Sequence, residues 1–323
     1  MSREIFEKSH ELQWQALEAS LDRLESRNRG MRAGEAAPDF PELYRQVCHH
    51  LALARHRRYG ADLELRLNRL VLRGHQQLYR SRAGDFAAAL RFVTSGFPRL
   101  VRSEARLVLL SLLLFFGPLL GMRLAVPWRP ELALSVMPPA TVEQMGQQFA
   151  PDGSLKAGRP VDSDLMMFGY YVYNNIGIAF RTFASGILAG LGSIFFLVYN
   201  GLVIGAVMGH VEHMGYQENF YPFVIGHGAF ELTAIALAGA AGLRLGLALL
   251  APGRLSRGEA LLGASRRAIG LVYGVAGMLA IAAFLEAFWS SSTAPAVVKL
   301  VVGGLLWLYV LFYFLVAGRS HGS

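Results

Sequence analysis

The chain is 323 residues long, 53% of its side chains are apolar, and its net charge of +8 comes almost wholly from arginine. Five near-continuous apolar runs are each long enough to cross a hydrocarbon core of about 30 Å, which marks an integral membrane protein and excludes a purely water-soluble domain. The one cysteine, Cys48, excludes an intrachain disulfide framework and a cysteine-based metal site.

Residues 1–106 hold 19 Lys/Arg against 13 Asp/Glu, and basic residues beside membrane spans mark the cytoplasmic side. No nucleic-acid-binding motif accompanies this charge, so no nucleic-acid partner is expected. The beginning, MSREIFEKSHELQW, lacks the apolar core of a cleavable signal, so the first span is an internal one. Ile5, Phe6, Leu12, Trp14, Leu17, Leu21 and Leu24 recur at helical spacing, and a breaker stretch, RNRGMRAGEAAPDFP, ends that one-faced helix. Two further amphipathic helices, 42–58 and 61–80, meet at Gly60, and a fourth piece, 86–100, leads to the bilayer. Together they predict a cytoplasmic helical domain over 1–104 with Leu63, Leu67, Leu70 and Leu78 in its core. The arginine-flanked pattern LELRLNRLVLR also fits a basic helix lying on lipid.

A transmembrane domain is predicted over 105–318, followed by a cytoplasmic tail at 319–323. Its first span is 107–126, bent at Pro118. Acidic residues and prolines suit 127–167 to an extracytoplasmic loop with little regular structure. The run from Tyr170 to Met208 is nearly twice the length of one span, and Gly190, Gly192 and Ser193 supply a turn, giving helices over 169–189 and 192–212. Spans at 223–245, 268–289 and 297–317 follow. Two crossings by 169–212 return the connector carrying Arg254, Arg257, Arg266 and Arg267 to the cytoplasm. The expected fold class is therefore an all-α polytopic membrane helical bundle of six spans; five spans plus a re-entrant hairpin over 169–212 is the alternative.

Polar side chains interrupt these spans: Asn174, Asn175, Arg181, Asn200, His227, Glu231 and Glu286. His227 and Glu231 are four apart, hence on one helix face, and Glu286 lies about one turn from the outer end of its span. These groups, with His210 closing the third span, are expected to converge on the outer half of the bundle. A carboxylate there must be protonated, hydrogen-bonded or paired, which predicts a Glu231–Arg181 pair or a Glu231–His227 hydrogen bond. Such a group is either helix-packing glue or a site that binds or moves something. His210, Glu212, His213 and His227 have metal-ligand chemistry, but HVEH does not match the HExxH arrangement, so no metal is expected. With no phosphate-binding loop and no nucleophile elbow, neither a cofactor, a catalytic residue nor an enzymatic activity is expected. Glycines four apart, Gly186–Gly190, Gly201–Gly205–Gly209, Gly242–Gly246 and Gly270–Gly274, let helices approach closely, within the chain or across a homodimer.

The segments NNIGIAFRTFASGILAGLGS, YNGLVIGAV, HGAFELTAIALAGAAGL and AAFLEAFWS together resemble the stage II sporulation protein M family. ALEASLDRLESR, LYRQV and LNRLVLRGHQQLY resemble the cytoplasmic extension of its long members from non-sporulating bacteria. The resemblance implies a multi-pass protein of the bacterial inner membrane, N-terminus cytoplasmic, that organises partners in envelope remodelling. It also implies neighbours to work with, a MoxR-type AAA+ ATPase and a von Willebrand A-like protein. The family is similar to six-span permeases of ABC exporters, which implies the rival reading of a transporter or lipid-handling protein driven by a separate ATPase.

Overall fold

A computed structural model describes residues 2–27, 40–78, 83–151 and 161–319. Among these residues the regular elements are helices, and the chain divides into two compact units, Met1–Ala88 and Ala89–Ser323.

The first unit is built on α1 (Arg3–Arg27), α2 (Phe40–His56) and α3 (Ala61–Leu78). Phe6, Trp14, Leu17 and Leu21 of α1 are wholly buried against Val47, Leu51 and Ala54 of α2 and Leu63, Leu67 and Leu70 of α3. Ile5 and Leu12 are exposed, because at about 100° per residue they lie off the face that Phe6 and Trp14 define. The Leu78 side chain falls outside the described residues. Two of the arginines that suggested a lipid-lying helix instead reach α1. Arg66 donates to both carboxylate oxygens of Glu11 at 2.8 and 2.7 Å and covers the Trp14 ring at 5.5 Å. Arg73 donates to Glu25 at 3.0 Å and Asp22 at 2.5 Å. The hydrogen bond from Arg66 holds the Glu11 carboxyl below the usual range, and Arg3 does the same to Asp62.

The second unit contains the rest of the regular elements. The boundary falls inside α4 (Ala83–Arg91), which leads through a π-helical turn, Phe92–Gly96, into α5 (Phe97–Ser103). Then come α6 (Ala105–Ala125), α7 (Pro139–Phe149), α8 (Val161–Ala184), α9 (Leu191–His213), α10 (Gln217–Leu250), α11 (Arg257–Phe284) and α12 (Ala296–Val316). Phe97 of α5 packs on Gly274 of α11, and Arg102 donates to the carbonyl oxygens of Phe314 and Ala317, both at 2.7 Å. Residues 89–104 thus belong with the membrane unit, and the boundary expected after residue 104 moves to residue 88.

Among the described residues five helices are long and apolar enough to cross a membrane: α6, α9, α10, α11 with its continuation to Ser290, and α12. Leu109, Leu113, Phe195, Leu308 and Phe312 point outward, a surface suited to acyl chains. α10 lies at the centre, touching α6, α8, α9, α11 and α12, and every residue from Ala234 to Leu243 is buried. A helix enclosed on all sides must be apolar all round, and the small residues of AIALAGAAGL let five neighbours fit.

α8 is not among those five apolar helices, yet it runs the depth of the bundle. Phe168 near its start packs its ring against that of Phe288 at 6.1 Å, whereas Phe183 near its end shares an apolar cavity with Val272. Beyond it, Gly186 and Gly190 sit against the backbone of Gly242 and Gly246 of α10. Gly226, which meets Trp289, and Gly246 lie twenty residues apart on α10, about 30 Å, the thickness of a hydrocarbon core. The hairpin of α8 and α9 therefore reaches both levels of α10. The turn uses a 3-10 segment, Ser185–Ile187, then Ala189 at φ 52° and Gly190 at φ 82°, the left-handed region that glycine adopts without strain.

The described parts of the segment 127–167, residues 127–151 and 161–167, depart from the expectation of little regular structure, and residues 152–160 lie outside the described residues. A 3-10 turn, Pro130–Ser135, and α7 pack Ala133, Met137, Val142 and Phe149 onto α9 and α10. Its apolar residues stand at turn and helix spacing among the prolines and acids that hid them.

The glycines expected to pack helices do so within the chain. A Cβ at Gly201, Gly205 or Gly209 would overlap the backbone of α6 at Phe115, Leu119 or Arg123. Gly205→Leu should therefore lower the thermal stability of the detergent-solubilised protein by about 3 kcal/mol or more. Gly277→Ala, whose Cβ would meet nothing within 4 Å, should be neutral or stabilising by up to about 1 kcal/mol, because alanine is the better helix former.

A pH response is built into the first unit. His50 is buried, accepts a hydrogen bond from Trp14 Nε1 at 3.1 Å and stacks on His10 at 3.9 Å. Burial, and then the charges of His10 and His49, lower it to about 4. The unfolded chain binds this proton more readily, so the stability is complete above about pH 6.5 and is lost as pH falls toward 4. Hydrogen exchange of α2 should show weakening on the order of 2 kcal/mol across that window, and His50→Phe should flatten it.

Candidate functional site

The polar groups converge where α10 meets the end of α11. His227 and Glu231 stand one turn apart on α10, with side-chain exposures of 6% and 16% and an Nε2–Oε2 separation of 4.0 Å. α11 does not stop at Phe284 but widens into a π-helical turn, Leu285–Ser290, which carries Glu286 and Ser290. Single π turns are frequent where a helix serves a site. One ligand atom from each of His227, Glu231 and Glu286 lies within 4.8 Å of the others.

Neighbours fix this arrangement. His227 Nδ1 is 3.1 Å from Ser290 Oγ, and the edge of the Phe223 ring stands against the imidazole at 5.6 Å. Asn175 of α8, 2% exposed, lies beside Glu286, and its Oδ1 accepts from Asn174 Nδ2 at 3.0 Å. Lys299 of α12 is buried and donates to the carbonyl oxygens of Ser290 and Ser292 at 2.7 and 2.8 Å. These carbonyls end the π turn, so a cation satisfies acceptors that the helix end leaves unpaired. Small residues, Ala282, Ala283 and Ala287, are buried on the same stretch and let α8 and α10 close over it.

Of the seven polar residues expected to converge, Asn175, His227, Glu231 and Glu286 do, with Asn174 bonded to Asn175. Arg181 and Asn200 do not. Arg181 is exposed and its Nε donates to the carbonyl of Gly177 at 3.1 Å. The expected Glu231–Arg181 pair is therefore absent: six residues beyond the inward Asn175, Arg181 is turned by about 240° around α8. Asn200 donates to the carbonyl of Phe196 in its own helix at 2.6 Å, because the glycines beside it take the face toward α6. The His227–Glu231 alternative is observed as a 4.0 Å approach, longer than a hydrogen bond.

The ligand set His210, Glu212, His213 and His227 does not assemble. Glu212 accepts from Arg123 Nε at 2.9 Å and from the Tyr221 hydroxyl, and His210 faces Gly146 of α7. That cluster ties α6, α9 and α10 at one end of the bundle. At the other end Glu104, 5% exposed, stands 3.3 Å from Arg267 and 3.7 Å from Arg244, joining the starts of α6 and α11 to the far end of α10. Sequence reasoning missed Lys299 and Ser290; a lysine inside the apolar run AVVKLVVGG carried the signal of an intramembrane charge. Lys299→Met should strand the carbonyls of Ser290 and Ser292 and lower the thermal stability by about 1–3 kcal/mol, read as the unfolding midpoint in detergent.

Comparisons with known proteins bear on both units. A family model described as stage II sporulation protein M matches residues 108–291, which include Asn175, His227, Glu231 and Glu286. A second, described only as a domain of unknown function, DUF8413, matches residues 4–80, the body of the first unit. Neither the curated proteins nor the solved structures provide a match. The first match covers more than half of a chain whose apolar helices are those of a multi-pass membrane protein, and the chain belongs to the stage II sporulation protein M family.

Proposed function

We propose that this protein is a non-enzymatic anchor of the bacterial inner membrane that organises partners in envelope remodelling. The observation that carries the reading is the division into a helical unit with its own core and an ion-paired surface, and a separate apolar bundle closed by glycine contacts. The bundle holds position in lipid, and the first unit offers a docking surface. Arg99, Arg102, Arg244, Arg254, Arg257, Arg266 and Arg267 belong to the end of the bundle where α6 and α11 begin and α12 finishes. Arginine retained on one side of a bilayer supports a cytoplasmic assignment for that end and for the N-terminus.

The family resemblance supplies the partners of this reading, a MoxR-type AAA+ ATPase and a von Willebrand A-like protein. A homodimer is part of it as well, and must use a face other than Gly201, Gly205 and Gly209, which α6 occupies. The permease-like reading draws on one specific observation, the enclosed cluster of His227, Glu231 and Glu286.

Crosslinking and affinity recovery from native membranes, with the full chain and with a chain beginning at residue 89, separates the two. Anchoring through the first unit predicts that the ATPase is recovered with the full chain and at least tenfold less with the shortened one. Equal recovery defeats the docking assignment. A folded Glu286→Gln chain should keep its partners; loss of transport with recovery intact would favour the permease reading.

A further inference from the structure

The interior cluster contains two carboxyl groups and an imidazole in one enclosed space, with ligand atoms within 4.8 Å. Among the described residues no lysine or arginine pairs with either carboxyl. Arg181 is turned outward onto its own helix, and Lys299 is committed to backbone carbonyls. Two carboxylates this close in a low-dielectric space repel strongly and lose their hydration. One divalent cation would cancel both charges and leave a neutral assembly. Asn175, 2% exposed, stands at Glu286 within side-chain hydrogen-bonding reach of its carboxyl, so a buried amide orients one of the two carboxyl groups, as outer-shell partners of ligating carboxylates do.

We propose that His227 Nε2 and one oxygen each of Glu231 and Glu286 form a three-ligand site for a divalent transition cation of the zinc, manganese and iron class. An imidazole in the set selects such ions over magnesium and calcium, which prefer oxygen alone. Ser290 Oγ stands at His227 Nδ1, placed to accept from Nδ1–H in the tautomer that leaves the Nε2 lone pair facing Glu231, the outer support that metal-bound histidines commonly have. Bonds of about 2.0–2.2 Å would bring the ligand atoms to about 3–3.6 Å from one another. The carboxyl groups must move inward by about an ångström, which side-chain rotation of two glutamates accommodates. Three protein ligands leave a coordination position open. The ion would join α10 to the π turn that ends α11, in the same leaflet where Lys299 fastens that turn to α12.

The test uses the full chain in detergent, washed with chelator and reloaded with Zn²⁺, Mn²⁺ or Co²⁺, with Mg²⁺ as control. About one equivalent of Zn²⁺ should be retained by elemental analysis, the unfolding midpoint should rise, and Co²⁺ should give visible ligand-field bands. Glu231→Gln and Glu286→Gln keep side-chain volume while removing the charge, and are compared as monodisperse, folded protein so that the test does not depend on His227→Ala folding. Each should lose at least tenfold in affinity and the cobalt bands. Retention below about a tenth of an equivalent overturns the site, as do unchanged binding in both glutamine variants or binding removed only by His210→Ala with His213→Ala.

Discussion

Helices surrounded by lipid gain little from burying apolar surface against one another, so the bundle depends on backbones drawn close enough for dispersion contacts and weak polar bonds. Gly186 and Gly190 meet Gly242 and Gly246 backbone to backbone, and Gly201, Gly205 and Gly209 receive carbonyls of α6. Short bonds from small hydroxyls reinforce the same seams: Ser111 Oγ donates to the Ala236 carbonyl at 2.5 Å, and Ser193 Oγ to that of Thr182 at 2.6 Å. Once α10 is enclosed in this way, a polar group on its interior-facing sides has only neighbouring helices to answer it. His227 and Glu231 consequently find Ser290 and Glu286.

Charge is distributed along the bundle by the same logic. At the end where α6 begins, Glu104 stands between Arg244 and Arg267; at the end where α6 finishes, Arg123, Glu212 and Tyr221 join three helices. Both groups contain a carboxylate with a cation. The interior cluster differs in holding two carboxyls and a histidine with no such partner among the described residues. Removing one member of a buried pair is costly because it leaves the other uncompensated. That imbalance is what the proposed cation would offset.

Much of the architecture was legible because membrane spans and amphipathic helices write themselves in local patterns. The apolar runs marked α6, α9, α10, α11 and α12, and the period of Phe6, Trp14, Leu17 and Leu21 marked the core face of α1. The four-apart glycines identified the α6–α9 seam without naming its partner. In the segment 127–167 prolines masked the short turn and α7, whose order comes from packing on α9 rather than from their own periodicity. The site was legible in part: helical spacing placed His227 and Glu231 on one face, whereas the azimuth of Arg181 around α8 depended on which side of that helix turned inward.

The sequence by itself determined that this is a multi-pass helical membrane protein with an arginine-rich end, because hydropathy and charge act over single segments and need no partner. It also determined that polar groups would have to be sheltered within the bundle, since lipid offers them nothing. Only the tertiary structure decided which of them meet. It joined Glu286 and Ser290 to His227 across separate helices, turned Arg181 and Asn200 onto their own backbones, and brought Lys299 to the π turn. Those outcomes rest on helix rotation and on where glycines permit contact, which are properties of pairs of segments and not of either one alone.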